Sequence, residues 1–572
     1  MTYLTPPVWL TRGLVRSRAR LITWRRQRRA SPLWSVTVGG LLVLLLLPIL
    51  SVAVLAFQST DNVWPQLLAT VLPAALRDTL LLASLSGFAT LVVGTGAAWL
   101  VTMYRFPGRA LLDRLLVIPL AMPAYILAYA YSDLLAYAGP IQSAMRAAFA
   151  LPPGTSALLP EIRSLGGAVF VMSAALYPYV YLGARASFVQ QSVCALEVAR
   201  TLGRTPMGAF WSVALPMARP ALVASVALVM MECLADLAAV QHLGVTTLTS
   251  SIYTTWLQRS NIGGAAQIAM VLLALVAAVT MLDHVGSREG RTHATTGRYR
   301  SIPFHELTGI KGWIAFGVCA VPFVIGFLVP ALVLARHALW NYAEALSAGW
   351  LLAAWHSLSL SAVAAAVAVA MGLLFTYAQR VAPNGLTRPA VKLAGLGYAL
   401  PGTVLAIGLL IPLGAFDNAL DGAMRAWFGV STGLILTGSI AALTLAYVTR
   451  FLAVAIGALD AGLSRISPNL DAAARALGET ALSALFRVHL PMLTPALAAG
   501  ALLVFVDAMK ELPATLLMRP FNFDTLATHV YAMVAVEQFE QAAPAALMIV
   551  AAGLVPVLLL HRTLAEGRSG GG

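Results

Sequence analysis

Four carboxylates lie in two equally spaced pairs within long apolar segments of the sequence. Glu232 and Asp236 are four residues apart, and so are Asp507 and Glu511. Residues four apart share one face of a helix, and charged groups inside apolar spans are by default candidates for function. If the four carboxylates face a shared axis, they offer hard oxygen ligands that suit a trivalent cation, and our hypothesis is that a cation passes along them.

A second interpretation of these carboxylates is structural. Lys510 lies beside Asp507 and Glu511, so the acids can instead pair with buried basic or polar groups or cap helix ends. Phenolic oxygens offer a further possible lining, although such side chains more often pack or lie at the membrane interface. These tyrosines form two clusters: Tyr125, Tyr129 and Tyr131, and Tyr177, Tyr179 and Tyr181.

The composition indicates that these acids belong to a membrane protein. A chain of 572 residues that is 59% hydrophobic and 10% charged has too little polar surface for a soluble globule. Apolar runs such as Leu33–Phe57 and Ile268–Leu282 approach or exceed the roughly 20 residues that cross a bilayer. Backbone groups facing lipid must be satisfied within the segment. We therefore predict an all-α integral membrane protein with about twelve transmembrane helices.

The apolar runs define approximate limits for these helices. The predicted spans are 34–57, 79–103, 112–135, 166–188, 218–240, 264–284, 313–335, 355–379, 391–413, 431–455, 494–516 and 542–561.

The net charge of +14 is best explained by topology. With the N-terminus in the cytoplasm, most Lys and Arg fall on the cytoplasmic side, as the positive-inside rule requires. The first 33 residues are basic and without acids, which favours an anchor for the first helix and permits binding of anionic lipid. Nucleic acid is not predicted as a partner. We expect both termini to be cytoplasmic.

Few residues could hold a cofactor. Three scattered cysteines have no metal-ligand spacing, and the sequence contains no G-x-x-x-x-G-K-[ST] phosphate loop. We therefore predict no cofactor and no firmly assigned metal site, and the chain is not expected to be an enzyme.

One stretch occurs twice. Residues 197–216 and 472–491 share Arg, two positions, Gly, nine positions, Val, one position and then Leu-Pro. Gly203 and Gly478 permit the left-handed conformation that ends a helix. A second short helix is expected to follow each Gly and to end at Pro216 or Pro491. The stretch predicts a helical hairpin suited to docking in a groove of a partner.

The repetition extends beyond this stretch. A shift of 275 aligns Pro220 with Pro495, and a shift of 278 aligns Gly94 with Gly372. The expectation is two parallel six-helix repeats, related by an axis along the membrane normal. The predicted organisation comprises a basic cytoplasmic segment 1–33, a first repeat 34–284 with coupling loop 190–216, a cytoplasmic linker 285–312, a second repeat 313–561 with coupling loop 465–491, and a cytoplasmic tail 562–572.

The paired loops resemble those of permease subunits of type I ABC importers, whose fold is termed MetI-like. Residues 113–142, 231–256 and 509–531 resemble the fused, double-length members that import ferric iron. The resemblance covers the chain from about residue 75. It implies an inner-membrane permease that docks an ATPase homodimer, which uses ATP, and receives iron from a periplasmic binding protein, with one copy per transporter. The implied ATPase-coupling residues are Glu197, Ala199, Gly203, Leu215, Pro216, Asp471, Ala473, Gly478, Leu490 and Pro491.

The two loops depart differently from the family pattern Glu-Ala-Ala. The first loop retains the acid at Glu197, whereas the second has Ala472 there and Asp471 one residue earlier. A shift of one position along a helix rotates the side chain by about 100° around the helix axis. We therefore predict unequal docking sites, of which the first tolerates mutation less.

Other functions remain open on the sequence. Fused thiamine permeases have similar length and loops, and polyamine, phosphonate and oxyanion permeases share the superfamily. An ion-driven secondary transporter would need neither loop, and a scaffold without transport would not need the intramembrane acids.

Overall fold

The computed structural model describes residues 32–58, 64–152, 158–190, 204–288, 305–341 and 348–566. Within these ranges eleven helices are long and apolar enough to cross a membrane, and a twelfth is counted if one bent helix pair is a single span. The predicted all-α membrane protein with about twelve spans is confirmed.

The first part of the chain forms a series of long helices joined by short ones. Up to the linker these are α1 (Pro32–Gln58), α2 (Trp64–Ala69), α3 (Val71–Met103), α4 (Arg109–Leu115), α5 (Ala124–Leu135), α6 (Pro140–Ala148), α7 (Leu165–Gln190), α8 (Pro206–Ala209), α9 (Leu215–Ala235), α10 (Ala238–His242), α11 (Leu248–Tyr253) and α12 (Ile262–Arg288).

The remainder of the chain follows a similar order. After the linker come α13 (Ile310–Phe323), α14 (Val329–Trp340), α15 (Ala348–Val381), α16 (Thr387–Ala394), α17 (Gly402–Phe428), α18 (Ile440–Ser464), α19 (Pro468–Ala476), α20 (Ala481–Ala484), α21 (Leu490–Met509), α22 (Pro513–Met518), α23 (Leu526–Ala535) and α24 (Phe539–Glu566).

Short non-α segments join several of these helices. Two-residue strands β1 (Tyr104–Arg105) and β2 (His305–Glu306) pair in parallel. Two 3₁₀ segments and four π segments complete the described elements: Ile118–Ala121 and Gly395–Ala399, and Phe210–Ala214, Thr254–Gln258, Val324–Leu328 and Leu485–His489.

Two predicted spans are broken rather than straight. The run predicted as 112–135 bends by 95° between Ala121 and Ala124, and the run predicted as 391–413 changes to a new helix after Pro401. Pro123 and Pro401 have the same dihedrals, φ −59° and ψ 141°. Because proline lacks the backbone N–H that a helix interior needs, each begins a new helix at this point.

The fifth and eleventh spans end earlier than predicted. We expected helices over 218–240 and 494–516, whereas α9 ends at Ala235 and α21 at Met509. A short helix, α10 or α22, follows each of them. The acidic pairs therefore do not lie on one continuous helix face, contrary to our prediction.

The described residues form two compact units by their internal contacts. The smaller takes α1 as far as Pro48, Ser361–Tyr398 and Thr444–Ala508. Within it, Val38 and Leu45 of α1 pack among buried side chains such as Phe375 and Leu452. The larger takes Ile49–Leu360, Ala399–Leu443 and the described residues from Met509 onward. Both units cut across the two predicted repeats, whose boundaries stay predictions.

Local geometry within the two parts nevertheless repeats at a shift of 278 residues. Thr79 Oγ1 accepts a hydrogen bond from Leu248 N at 2.9 Å, and Ser357 Oγ accepts one from Leu526 N at 2.7 Å. Each bond fixes the first residue of a short helix to a long one. Both short helices also begin with a capping box, formed by Thr247 with Ser250 and by Thr525 with Thr528.

Candidate functional site: two loops and an intramembrane acidic region

The second predicted coupling loop is a helical turn around a glycine. Helix α19 is preceded by the cap residue Ser467, whose hydroxyl accepts from Asn469 N, and is followed by the cap residue Leu477. Gly478 follows with φ +81°. A residue with a Cβ adopts this left-handed conformation only at a cost. The predicted role of Gly478 in ending the first helix of the hairpin is confirmed.

The second arm of this loop does not end where we predicted. Thr480 caps α20 through a hydrogen bond from Ser483 N, and the helix then continues through the π segment Leu485–His489 into α21. Leu490 N bonds to Leu485 O, so one wide turn precedes Pro491. This turn removes the need for an N–H at Pro491, which therefore continues the helix instead of ending it.

The first predicted loop repeats this construction where it is described. Glu197, Ala199 and Gly203 lie outside the described residues. From Thr205 onward the pattern matches that of the second loop: the Thr205 hydroxyl accepts from Gly208 N at 3.1 Å, and a π segment leads into α9. Its residue Leu215 begins α9, and Pro216 again continues a helix that we predicted it would end.

A carboxylate of the second loop is held inside the protein. Asp471 Oδ2 lies 2.8 Å from Arg380 Nη2 and accepts from Arg380 Nε at 2.9 Å. Its other oxygen, Oδ1, lies 2.7 Å from Nε2 of His489, whose side chain is 0% exposed. The same arginine donates to the carbonyls of Leu463 and Ile466 at 2.7 and 2.9 Å. Arg380 thus links the end of α15 to both sides of the bend that precedes α19.

Two more contacts join α15 to this loop. The Tyr377 hydroxyl donates to the Ala481 carbonyl at 2.6 Å, and its ring meets His489 edge-on with centroids 5.3 Å apart. We call Tyr377, Arg380, Asp471 and His489 the polar clamp. Sequence reasoning missed three of its members, although Arg380 at the end of an apolar helix was a detectable signal.

The first loop is attached by aromatic rings instead. Phe210, in the π segment before α9, packs against Trp99 of α3 with centroids 4.9 Å apart. Trp99 also packs edge-on against Phe188 of α7 at 5.5 Å. Both α3 and α7 therefore hold this arm of the loop through dispersion and apolar burial.

Both loops present large apolar side chains on their surface. In the second loop Leu477, Leu482 and Phe486 are 85%, 56% and 59% exposed. In the first, Met207 and Trp211 are 60% and 63% exposed. The other predicted coupling residues of the second loop, Ala473, Leu490 and Pro491, are exposed, half-buried and exposed respectively. Exposed patches of this kind are typical of interaction surfaces.

The two acidic pairs lie where α9 and α21 end. Glu232 is in the last turn of α9, while Asp236 follows it in extended conformation. Asp507 is in the last turn of α21, and Glu511 follows that helix. Glu511 is buried, whereas the other three are half-buried.

Two of these acids cap the short helices that follow. Asp236 Oδ1 accepts from Ala239 N at 2.9 Å, and Glu511 Oε1 accepts from Ala514 N at 2.9 Å. A carboxylate at a helix N-terminus satisfies free N–H groups and interacts favourably with the dipole. The geometry of Asp236 and Glu511 thus matches the helix-capping alternative of the sequence analysis.

Phenolic side chains gather near the first acidic pair. The Tyr531 hydroxyl donates to Gln241 Oε1 at 2.9 Å and shares a hydrogen bond with Tyr253, its counterpart at the 278-residue shift. The ring of Tyr129 lies 5.8 Å from that of Tyr125 and 4.7 Å from that of His242. Repeat-related tyrosines therefore meet in the larger unit.

Two of the remaining predicted tyrosines form structural hydrogen bonds. Tyr131 donates to the Ile325 carbonyl at 2.8 Å, and Tyr181 donates to Asp113 Oδ1 at 2.7 Å. Tyr177 is almost fully buried and Tyr179 half-buried. Among the residues that the structure describes, no three His, Cys, Asp or Glu side chains are grouped so as to hold a metal ion.

Part of this chain matches a known family, and most of it is similar to known transport proteins. Residues 90–288 match the family described as binding-protein-dependent transport system inner membrane component. The Fe(3+)-transport system permease protein FbpB 2 of Haemophilus influenzae is 26% identical over 497 residues, which is 85% of this chain and 89% of that protein. The probable ABC transporter permease protein y4fN of Sinorhizobium fredii is 25% identical over 535 residues, 87% and 88% of the two chains.

A shorter relative corresponds to only part of this chain. The sulfate transport system permease protein CysT of Salmonella typhimurium is 29% identical over 274 residues, which is 46% of this chain and 95% of that protein. Nearly the whole of one permease thus matches about half of the present sequence. Residues 90–288 thus correspond to the binding-protein-dependent transport system inner membrane component, and the chain is similar along most of its length to transport permeases of comparable length.

Proposed function

We propose that this permease translocates ferric iron, delivered by a periplasmic binding protein, and is driven by a separate ATPase homodimer. One copy of the double-length chain supplies both halves of the route. The chain itself performs no covalent chemistry. Its termini and both loops face the cytoplasm, in keeping with the basic segment at the N-terminus.

The paired construction of the two loops carries this proposal. Each has a Thr-capped helical arm, a π turn and exposed apolar side chains, at positions 275 residues apart. Two similar surfaces on one chain suit a partner with two similar grooves. An ATPase homodimer is such a partner, and it supplies the phosphate-binding loop that the sequence lacks.

Support for iron as the substrate comes from the similarity to the Fe(3+)-transport permease along most of both chains. The relative named as a sulfate permease supports an oxyanion as the second candidate.

The acidic region is the proposed route of the substrate. Asp236 and Glu511 hold the N-termini of α10 and α22, so they orient the polypeptide along the route. Glu232 and Asp507 are the acids whose oxygen atoms we assign, from the sequence pattern, to attracting a trivalent cation in passage.

Uptake measurements test this function. Cells with and without the chain are given radiolabelled ferric iron, thiamine or sulfate, and only iron uptake is expected to require the chain. The double variant Glu232→Gln with Asp507→Asn is expected to lose iron uptake while remaining in the membrane. Glu161→Gln alters an exposed acid and is the matched control.

Equal iron uptake without the chain overturns the proposed substrate, and chain-dependent sulfate uptake favours the oxyanion. Unchanged iron uptake in the double variant overturns the proposed route alone.

A further inference from the structure

In the second loop Ala472 occupies the position of Glu197, and Asp471 is the acidic residue nearest to that position. Both oxygens of its carboxylate lie beside a basic side chain: Oδ2 accepts a hydrogen bond from Arg380, and Oδ1 lies 2.7 Å from Nε2 of His489. Its side chain is 23% exposed and that of Arg380 17% exposed. A cation on a docking partner could therefore reach Asp471 only at the part of its carboxylate that stays exposed.

The first loop lacks every member of the polar clamp. Positions are compared at the 278-residue shift for α15 and at the 275-residue shift for the loop. The counterparts of Tyr377, Arg380, Asp471 and His489 are Trp99, Thr102, Leu196 and Ala214. None of the four counterparts is ionisable. The residue types that form the clamp therefore do not recur at the matching sequence positions of the first loop.

The polar clamp attaches both arms of the second hairpin to the end of one helix, α15. Arg380 is in the last turn of α15, and it bonds at once to the carboxylate of α19 and to the carbonyls of Leu463 and Ile466. Tyr377, one turn earlier, bonds to the first residue of α20. Both arms of the second hairpin are thus attached to one helix end. Polar bonds of this kind are lost when the partners move apart, so the hairpin and the end of α15 are expected to move together.

We propose that Asp471 is a positioning residue rather than an ATPase-docking residue. With Arg380 and His489 it fixes the shape of the second hairpin in the free permease and couples the hairpin to α15. The docking surface of this loop is then the exposed apolar set of Leu477, Leu482 and Phe486. The part of this inference that concerns the ATPase rests on the proposed function.

Proteolysis of the full-length permease without any partner tests the clamp directly. Arg475 and Arg487 are exposed within the hairpin and are trypsin sites. Asp471→Ala and Arg380→Ala are each expected to increase the rate of cleavage at Arg475 by about tenfold, because cleavage follows the population of the opened loop. The double variant is expected to be no faster than either single variant, since both remove the same interaction.

Matched controls separate this effect from a general loss of folding. Asp460→Ala and Arg388→Ala remove exposed charges from α18 and α16 and are expected to leave the cleavage rate unchanged. Arg380→Lys keeps the charge but not the paired donors, so it is expected to restore protection only in part. Unchanged cleavage in both Asp471→Ala and Arg380→Ala overturns the proposal.

The complete transporter distinguishes positioning from docking. If Asp471 acts by positioning, Asp471→Ala and Arg380→Ala lower the maximal rate of iron uptake to the same extent. If it acts by docking, Asp471→Ala weakens the affinity for the ATPase, whereas Arg380→Ala does not. The second result overturns the proposal. Absence of ATP-driven uptake in the wild-type chain would contradict the proposed function, while the proteolysis result still decides the clamp.

Discussion

The two loops share a backbone design but differ in what attaches them to the rest of the chain. The first is attached through Trp99 and Phe210, whose rings are 4.9 Å apart. The second is attached through Arg380, Asp471 and His489, with N–O distances of 2.7 to 2.9 Å. Apolar contacts tolerate small rotations, whereas an ion pair with shared hydrogen bonds requires defined geometry. One fold element can therefore be fixed with different stiffness in the two parts of one chain.

This difference changes the meaning of the unequal docking sites. We predicted that the first loop tolerates mutation less because it retains Glu197, and that ranking stays a prediction. Asp471 is expected to be sensitive as well, but through the shape of its loop. The two acids are then not equivalent. A substitution of Glu197 is expected to alter the docking surface, whereas a substitution of Asp471 is expected to alter the contacts that hold the second loop in shape.

Removal of the aromatic attachment of the first loop should have the largest effect. Trp99→Ala leaves a cavity beside Phe188 and Phe210 and is expected to lower the free energy of unfolding by about 3–5 kcal/mol. Thermal unfolding of the solubilised chain measures this loss. Trp355→Ala is the control, since Trp355 is 66% exposed. Equal losses in the two variants would contradict a dominant role of ring packing.

Much of this fold follows from the sequence, because length and apolar composition determine transmembrane helices directly. Asp471 and Gly478 were identifiable from the repeat, because the repeat is a pattern of residue types at fixed spacing in the sequence. The contacts of Asp471 were not, because Arg380 lies 91 residues away and no local pattern joins them.

Prolines account for most of the errors. We expected Pro216 and Pro491 to end helices, but a preceding π turn removes the hydrogen bond that proline would break. Pro123 and Pro401, within runs that looked continuously apolar, do start new helices. The sequence shows which residues are prolines and so lack a backbone N–H. It does not show whether the helical turn at that position would use that N–H in a hydrogen bond.

Removal of the histidine from the polar clamp should have an intermediate effect. His489→Ala creates a cavity and removes one partner of Asp471, and a loss of about 2–3 kcal/mol is expected because Asp471 keeps Arg380 and some solvent. The thermal midpoint is compared with that of His284→Ala, which alters an exposed histidine. A loss smaller than that of the control would show that the clamp contributes no stability.

The turn glycine provides a smaller test. Gly478→Ala places a Cβ at φ +81°, and although no atom lies within 4 Å of it, the conformation itself costs about 1–2 kcal/mol. Gly457→Ala also meets no atom within 4 Å but lies inside helix α18, so it should be neutral or slightly stabilising. The thermal midpoint of Gly478→Ala should therefore be lower than that of Gly457→Ala, by an amount that corresponds to the free-energy cost of the left-handed conformation. Equal midpoints would mean that the loop relaxes around residue 478.

The smallest effect concerns the charge that follows this glycine, where the second loop has Glu479 and the first has Arg204. The Ser483 hydroxyl, and then Arg487, lower the pKa of Glu479 from its ordinary value of 4.5. The ionised form is thus favoured in the folded loop, so its stabilising contribution is present above pH 4.5 and is lost as the pH falls through the lowered pKa. The difference in thermal midpoint between the wild type and Glu479→Gln should be constant near neutral pH and shrink below pH 4.5. Arg204→Gln should show no such acid-dependent difference, because arginine remains charged throughout. A Glu479→Gln difference that grows on acidification would reverse the sign of this argument and show that the folded loop favours the protonated acid.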